Sequence, residues 1–102
     1  MKFQLVFQWP AATIKDYDEM IAIEDTLVQR LGRFGKVDGH DVGSGQTNIF
    51  VHTDYPEQTL IQIMRIFGSK DFMIDLRAAY REISGEKYTI LWPKDLDMFS
   101  VI

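Results

Sequence analysis

Two neighbouring segments of the chain concentrate the side chains that could do chemistry. Asp38, His40 and Asp41 lie in the first segment, and Asn48 and His52 lie in the second. Residues two apart in a β-strand share a face, so Asp38 points with His40, and Asn48 points with His52. If the two faces coincide, two imidazoles and a carboxylate could bind a divalent metal ion or act as acid and base. We favour the simpler interpretation of a polar hairpin, in which these residues serve turns and solvent, and we expect no metal or cofactor.

The turn between the two segments decides whether the two histidines share a face. A two-residue turn at Ser44-Gly45 would pair His40 with Ile49 and leave His52 on the opposite side. A four-residue turn would pair His40 with Phe50 and bring the two faces together. Because a slip of one residue reverses every side chain of a strand, the sequence leaves both arrangements open.

The same turn, Gly43-Ser44-Gly45, could hold an anion, because backbone amides in glycine-rich turns can surround a negative group. Phosphate-binding loops, however, are followed by a helix and carry a lysine, whereas here a strand follows. A flexible hairpin turn is therefore the favoured interpretation.

Two acidic residues interrupt the first helical pattern. Glu24 falls within the apolar stripe of this segment, and Asp25 lies at the edge of the stripe. A carboxylate in that position pairs with a cation at the boundary of the core or works inside a cleft. We expect a boundary salt bridge, with Arg77 or Arg81 as the natural cation.

The full set of candidate ligand-binding residues follows from these segments. It comprises Glu24, Asp38, His40, Asp41, Ser44, Asn48, His52, Arg77 and Arg81. Four large aromatic residues could also stack on a flat ligand, but we expect them in the core or an interface, where such residues predominate. They are Trp9, Tyr80, Tyr88 and Trp92.

The elements that must position these residues follow from periodicity. Alternation of apolar residues predicts a first strand that Pro10 ends, and helical spacing predicts a helix over 13–31 with Thr13 as its cap. Residues 36–53 form a predicted hairpin, and Asp54 precedes a second helix that Gly68 closes. Residues 72–83 are ambiguous, and we favour a second hairpin, whose last strand runs over 87–92.

This order predicts one α+β domain over residues 1–102. The expected architecture is a ferredoxin-like β-α-β-β-α-β sandwich, with an antiparallel sheet, two helices on one face and an extra C-terminal hairpin. Many unrelated functions use this fold, so the fold alone selects none of them.

Composition narrows the partners. The chain has no cysteine and a net charge of -4, with its basic residues scattered along the sequence. Nucleic acid binding is disfavoured because phosphates repel such a chain. The lack of cysteine favours a cytoplasmic location, and no apolar run is long enough to cross a membrane.

Three segments carry a resemblance to a known group of proteins. VDGHDVGSGQTNIFVHTD at 37–54, AAYRE at 78–82 and ILWP at 90–93 resemble sequences of small bacterial proteins without an assigned activity. The resemblance implies a ferredoxin-like fold, and it transfers no functional residue.

The functional expectation is a non-enzymatic binding or interaction module that forms a homodimer. We expect the apolar tail over 94–102 to be ordered, to add to a sheet edge in its own chain or in a dimer partner, and to contribute to the interface. One alternative is a small enzyme or ligand-binding protein that uses His40 or His52 together with Glu24 and Arg81. Another is an acidic, immunity-type inhibitor of a basic toxin.

Overall fold

The first strand lies at the centre of the sheet, with two strands on each side of it. The computed structural model describes residues 1–101, and its five strands form one antiparallel sheet in the order β2-β3-β1-β4-β5. Two α-helices complete an α+β fold. The strands are β1 (Phe3–Pro10), β2 (Lys36–Gly43), β3 (Gln46–Thr53), β4 (Arg77–Glu82) and β5 (Thr89–Trp92). The α-helices are α1 (Tyr17–Arg30) and α2 (Pro56–Phe67), and short 3-10 helices span Gly32–Phe34 and Asp71–Asp75.

One face of the sheet carries the main core. Leu5, Phe7 and Trp9 alternate along β1 and are fully buried there. Both helices bury apolar residues in the same cluster, which places them on one side of the sheet. These residues are Met20, Ile23 and Leu27 of α1, and Leu60, Ile63 and Phe67 of α2. The aromatic residues behave largely as expected, since Trp9 and the partly buried Tyr80 and Trp92 belong to or pack on this core.

The opposite face, which we call the distal face, is also covered along β1. Val6 is fully buried and Gln8 is 3% exposed, although both point away from the helices. The residues after β5 supply a cover, since the Ser100 carbonyl accepts a hydrogen bond from Gln8 Nε2 at 2.9 Å. The ring of Phe99 also lies against Tyr88, with ring centres 5.1 Å apart. The tail is therefore a second layer on the sheet.

The predicted addition of this tail to a sheet edge of its own chain is wrong, and its addition to a partner's sheet edge stays a prediction. No strand is assigned to residues 93–101, and the segment crosses the distal face. The two edges explain the difference. β2 carries a bulge after Val37 and exposed charges at Lys36, Asp38 and Asp41, while β5 has only four residues. Bulged, charged or short edge strands resist the addition of another strand.

The first helix begins later than predicted. Asp16, not Thr13, is its cap, because the Asp16 carboxylate accepts a hydrogen bond from the Glu19 amide at 2.8 Å. The Thr13 hydroxyl instead donates to the Asp75 carboxylate at 2.9 Å. The residues between strand and helix remain useful to the core, since Ile14 is buried.

Both predicted hairpins are confirmed. Ser44 and Gly45 form the two-residue turn of the first one, and both have positive φ angles, 52° and 82°, as the right-handed twist of a hairpin prefers. The ambiguous segment before the last strand divides into a 3-10 helix and β4, and β4 pairs with β5. Alanines in β4 are tolerated because Ala78 and Ala79 are fully buried on the two faces of the sheet, where larger residues would need space.

A close approach at Gly35 gives the first test of this packing. A Cβ at Gly35 would lie 2.7 Å from Val51 Cγ1 and 3.2 Å from the His52 carbonyl oxygen. Gly35→Ala should therefore lower the free energy of unfolding by about 1–3 kcal/mol, because a buried backbone must shift. Gly43→Ala is the matched control, since no atom lies within 4 Å of its Cβ. Equal urea midpoints for the two variants would contradict this packing.

The tail supplies a second test. Gln8 Nε2 donates both to the Ser100 carbonyl and to Asn48 Oδ1, the latter at 3.0 Å. Gln8→Met keeps the length of the side chain and removes both bonds, so it should cost about 1–3 kcal/mol and release the tail. Hydrogen exchange at the amides of residues 96–101 measures the release. Gln4→Met, on the same strand and face, is the control, and equal exchange in both variants would show that Gln8 does not hold the tail.

Candidate functional site

The strand register separates the two histidines. The two-residue turn pairs His40 with Ile49, whose partner in β1 is Phe7 of the main core. His52 pairs with Gln4, which points to the distal face. His40 thus lies on the helix side of the sheet and His52 on the distal side. The two imidazoles cannot share one site.

His40 lies in a small cluster between β2 and α1. Its Nδ1 atom is 3.0 Å from Glu24 Oε2, and the two side chains are 27% and 14% exposed. The Tyr17 ring meets the imidazole edge to face, with ring centres 5.8 Å apart. The contact is a hydrogen bond when the imidazole is neutral and an ion pair when it is protonated.

The position of Glu24 follows from the geometry of α1. The buried stripe of this helix is Met20, Ile23 and Leu27, and Glu24 lies beside that stripe on the flank that faces β2. The expected arginine partner is wrong. Glu24 packs near the edge strand β2, whereas Arg77 and Arg81 lie on β4, on the other side of β1 in the sheet. Glu24 does have a polar partner at the boundary of the core, as the sequence predicts, but that partner is His40.

Arg81 has a local role. Its Nη1 atom donates to the carbonyls of Glu82, Ile83 and Gly85 at 2.9–3.1 Å, and these bonds hold the β4–β5 loop. Arg81 pairs with Gln4 across the sheet, so it lies on the distal side. The expected cleft of histidine, Glu24 and Arg81 is therefore not assembled.

A second carboxylate–histidine pair lies on the distal face. His52 Nε2 is 3.4 Å from Asp38 Oδ2, and the side chains are 31% and 49% exposed. Asp38 is the extra residue of the β2 bulge, which sits between Val37 and Gly39. Gly39 has a φ of 154°, a conformation that L side chains rarely adopt, and this allows the bulge to turn the Asp38 side chain toward His52.

The remaining candidate residues do not join either pair. Asn48 is 1% exposed and belongs to the amide network under the tail, where it binds Gln8. Asp41 and Ser44 are exposed in the β2–β3 hairpin. Arg77 is exposed and lies opposite Gln8 in the sheet. Among residues 1–101, no group of three or more His, Asp or Glu side chains could hold a metal ion.

The Glu24–His40 pair is surrounded by an exposed apolar surface. Tyr17 is 60% exposed, Val28 62% and Val42 52%. Tyr17, Ile21, Glu24 and Val28 follow one another at helical spacing, and His40 and Val42 are two apart on the adjoining strand. We call this surface, defined by these six residues, the α1–β2 flank.

Sequence patterns alone did not identify this flank. Tyr17 and Val28 belong to the same helical apolar pattern as the core residues, so periodicity alone assigned them to the core. The signal was the width of the stripe, since a helix that packs on one side leaves part of a wide stripe exposed.

Comparisons with known proteins add no relative, because no family model, curated protein or solved structure matches the chain. Within residues 1–101, no helix has the length and apolar character needed to cross a membrane. The geometry of the site therefore carries the functional conclusion.

The two carboxylate–histidine pairs offer a matched test of their strengths. Double-mutant cycles with Glu24→Gln and His40→Gln should give a coupling free energy of about 0.5–1.5 kcal/mol, as for a partly buried hydrogen bond. The corresponding cycle with Asp38→Asn and His52→Gln should give at most ~0.5 kcal/mol, because that pair is longer and more exposed. Urea unfolding of the seven chains, the wild type and three variants for each pair, measures both values. A larger coupling for the distal pair would reverse the assignment.

Proposed function

We propose that this protein is a non-enzymatic interaction module that forms a homodimer through the α1–β2 flank. The observation that carries the proposal is the exposure of Tyr17, Val28 and Val42 around the partly buried Glu24–His40 pair. Exposed aromatic and aliphatic residues that surround a shielded polar pair are typical of the central part of an interface.

The scaffold supports this proposal as a ferredoxin-like fold. If β5 and the tail are set aside, the remaining elements follow the order β-α-β-β-α-β with both helices on one face. The fifth strand and the tail would then be additions to that fold. The resemblance of residues 37–54 to small bacterial proteins agrees with the same assignment.

The arrangement of the flank favours a second copy as the partner. Tyr17 and Val28 lie near the two ends of α1, and Glu24 lies between them. A two-fold axis across the flank would place two α1 helices antiparallel, so that Tyr17 of each copy lies beside Val28 of the other. The apolar residues would meet near the axis, where water is excluded most completely.

The same geometry supports binding over catalysis. Glu24 and His40 contact each other and the ring of Tyr17, and neither lies beside Arg81 or His52. A hollow of about 250 Å³ next to Tyr17 and Val42 has mainly apolar walls, and its lining includes neither Glu24 nor His40. Apolar walls of this kind fit a side chain of a partner protein.

A basic protein remains a second candidate partner. Asp18 and Asp25 are exposed on the outer side of α1, next to the flank, and the chain carries a net charge of -4. An acidic inhibitor would use such a surface to attract a basic toxin. The net charge also argues against nucleic acid, and the lack of cysteine supports a cytoplasmic location.

Light scattering after size exclusion tests the homodimer. The wild-type chain should give twice its mass of 11.9 kDa at micromolar concentration, and Val28→Glu should give the monomer, because it places a charge in the apolar surface. Ile74→Glu is the matched control, since Ile74 is 80% exposed but lies away from the flank.

Two outcomes would contradict the homodimer. A wild-type monomer at every concentration would exclude self-association and leave the acidic inhibitor as the better candidate. A dimer that Ile74→Glu dissociates and Val28→Glu preserves would show that a different surface is used. Circular dichroism of both variants confirms that the fold is retained.

A further inference from the structure

A groove lies on the other side of α1, between that helix and the end of α2. Its volume is about 540 Å³, within the range of small-molecule sites. Glu19, Ala22, Ile23 and Thr26 form one wall, because they occupy the flank of α1 opposite to the dimer surface. Phe67 and the residues that follow it form the other wall.

The floor of the groove is apolar and partly aromatic. Phe67 and Phe72 both line it and meet edge to face, with ring centres 5.1 Å apart. Phe72 also packs against Trp9, with ring centres 6.0 Å apart. Aromatic edges and faces in this arrangement favour another aromatic ring as their partner.

The rim carries charges of both signs. Lys15 and Lys70 supply two cations, and Glu19 and Asp71 supply two anions. Within residues 1–101, none of these four side chains takes part in an ion pair or side-chain hydrogen bond. The groove therefore offers free partners for a positive and for a negative group at once.

Topology places the charged groups at one end of the groove. α1 follows the C-terminal end of β1. Because β4 is antiparallel to β1, β4 begins at that same end of the strands. Lys15 and Glu19 flank the start of α1, while Lys70 and Asp71 lie between α2 and β4. A ligand that places its charged groups at this end can extend its apolar part over Ile23, Phe67 and Phe72.

An unpaired donor lies next to the groove. Trp9 is fully buried, and among residues 1–101 its Nε1 atom is the only buried side-chain nitrogen or oxygen without a hydrogen-bond partner. An unpaired buried donor costs roughly 1–3 kcal/mol, so an acceptor that enters beside Phe72 would relieve this cost. Trp9 also serves as a reporter, because its indole touches a residue of the groove wall.

From these observations we propose that the groove binds an aromatic α-amino acid in its zwitterionic form. The carboxylate of the ligand pairs with Lys15 and Lys70, its ammonium pairs with Glu19 and Asp71, and its ring rests on the aromatic floor. This site is independent of the dimer surface, since the two use opposite flanks of α1.

Three compounds with one phenyl body test the proposal. L-phenylalanine carries both charges, 3-phenylpropanoate carries only the carboxylate, and 2-phenylethylamine carries only the ammonium. In a Trp92→Phe chain, in which Trp9 is the single tryptophan, binding is followed by tryptophan emission and by calorimetry. L-phenylalanine should bind about fivefold more tightly than either analogue, because each lost ion pair at a partly exposed rim is worth about 1 kcal/mol.

Variants of the rim should give a crossed pattern. Lys15→Gln with Lys70→Gln should weaken L-phenylalanine and 3-phenylpropanoate and leave 2-phenylethylamine unchanged. Glu19→Gln with Asp71→Asn should weaken L-phenylalanine and 2-phenylethylamine and leave 3-phenylpropanoate unchanged. Arg65→Gln, which changes an exposed cation of α2 that does not line the groove, is the control and should change none of them.

Ala22→Phe locates the site. Ala22 is exposed on the wall of the groove, so a phenyl ring there should fill the groove and abolish binding without loss of the fold. Binding that persists in Ala22→Phe, equal affinity for all three compounds, or no binding of L-phenylalanine at millimolar concentration would each overturn the proposal. Because the dimer is measured by mass, failure here leaves that result unaffected.

Discussion

The burial of β1 on both of its faces is the constraint on which the rest of the structure depends. Five successive residues from Leu5 to Trp9 are buried, so a single layer of helices cannot complete the fold. The helices cover the side of Leu5, Phe7 and Trp9, and the tail after β5 covers the side that carries Val6 and Gln8. Gln8 is the polar member of this strand. Its amide can be buried because it donates to both the tail and a neighbouring strand, which satisfies the group that burial would otherwise penalise.

This two-layer burial moves the groups that can interact with other molecules to the periphery. The interior of the central strands is apolar or amide-bonded, and the histidines lie on strands farther out, each with its own carboxylate. One pair lies between helix and edge strand, and the other lies on the distal face. A two-residue turn causes this separation, because the register that it sets pairs His40 with Ile49 and so places His40 and His52 on opposite faces of the sheet. Chemistry that needs both imidazoles together is therefore not available to this fold.

Helix α1 has two flanks that face away from the core, and each is part of one proposed binding surface. One flank presents Tyr17 and Val28 beside the edge strand, and the other forms a wall of the groove toward α2. Only the stripe of residues between the two flanks packs in the core, so a substitution on one flank should have little effect on the other. The proposed dimer and the proposed amino-acid site use this division.

The sequence by itself determined the types and order of the main elements, because alternation, helical spacing and turn residues are local signals. It also determined that Glu24 needs a cation at the boundary of the core, since a carboxylate within an apolar stripe is costly alone. It could not decide which side chain takes this role, because His40, Arg77 and Arg81 lie on different strands and only the strand order brings His40 to α1. It placed the cap of α1 three residues early, at Thr13 and not Asp16, because both residues suit a cap and the contact of Thr13 with Asp75 is tertiary. Only the tertiary structure decided the faces of the histidines, the path of the tail and the position of the groove. These features depend on strand register and on the packing of layers, which bring together residues that no local sequence pattern relates.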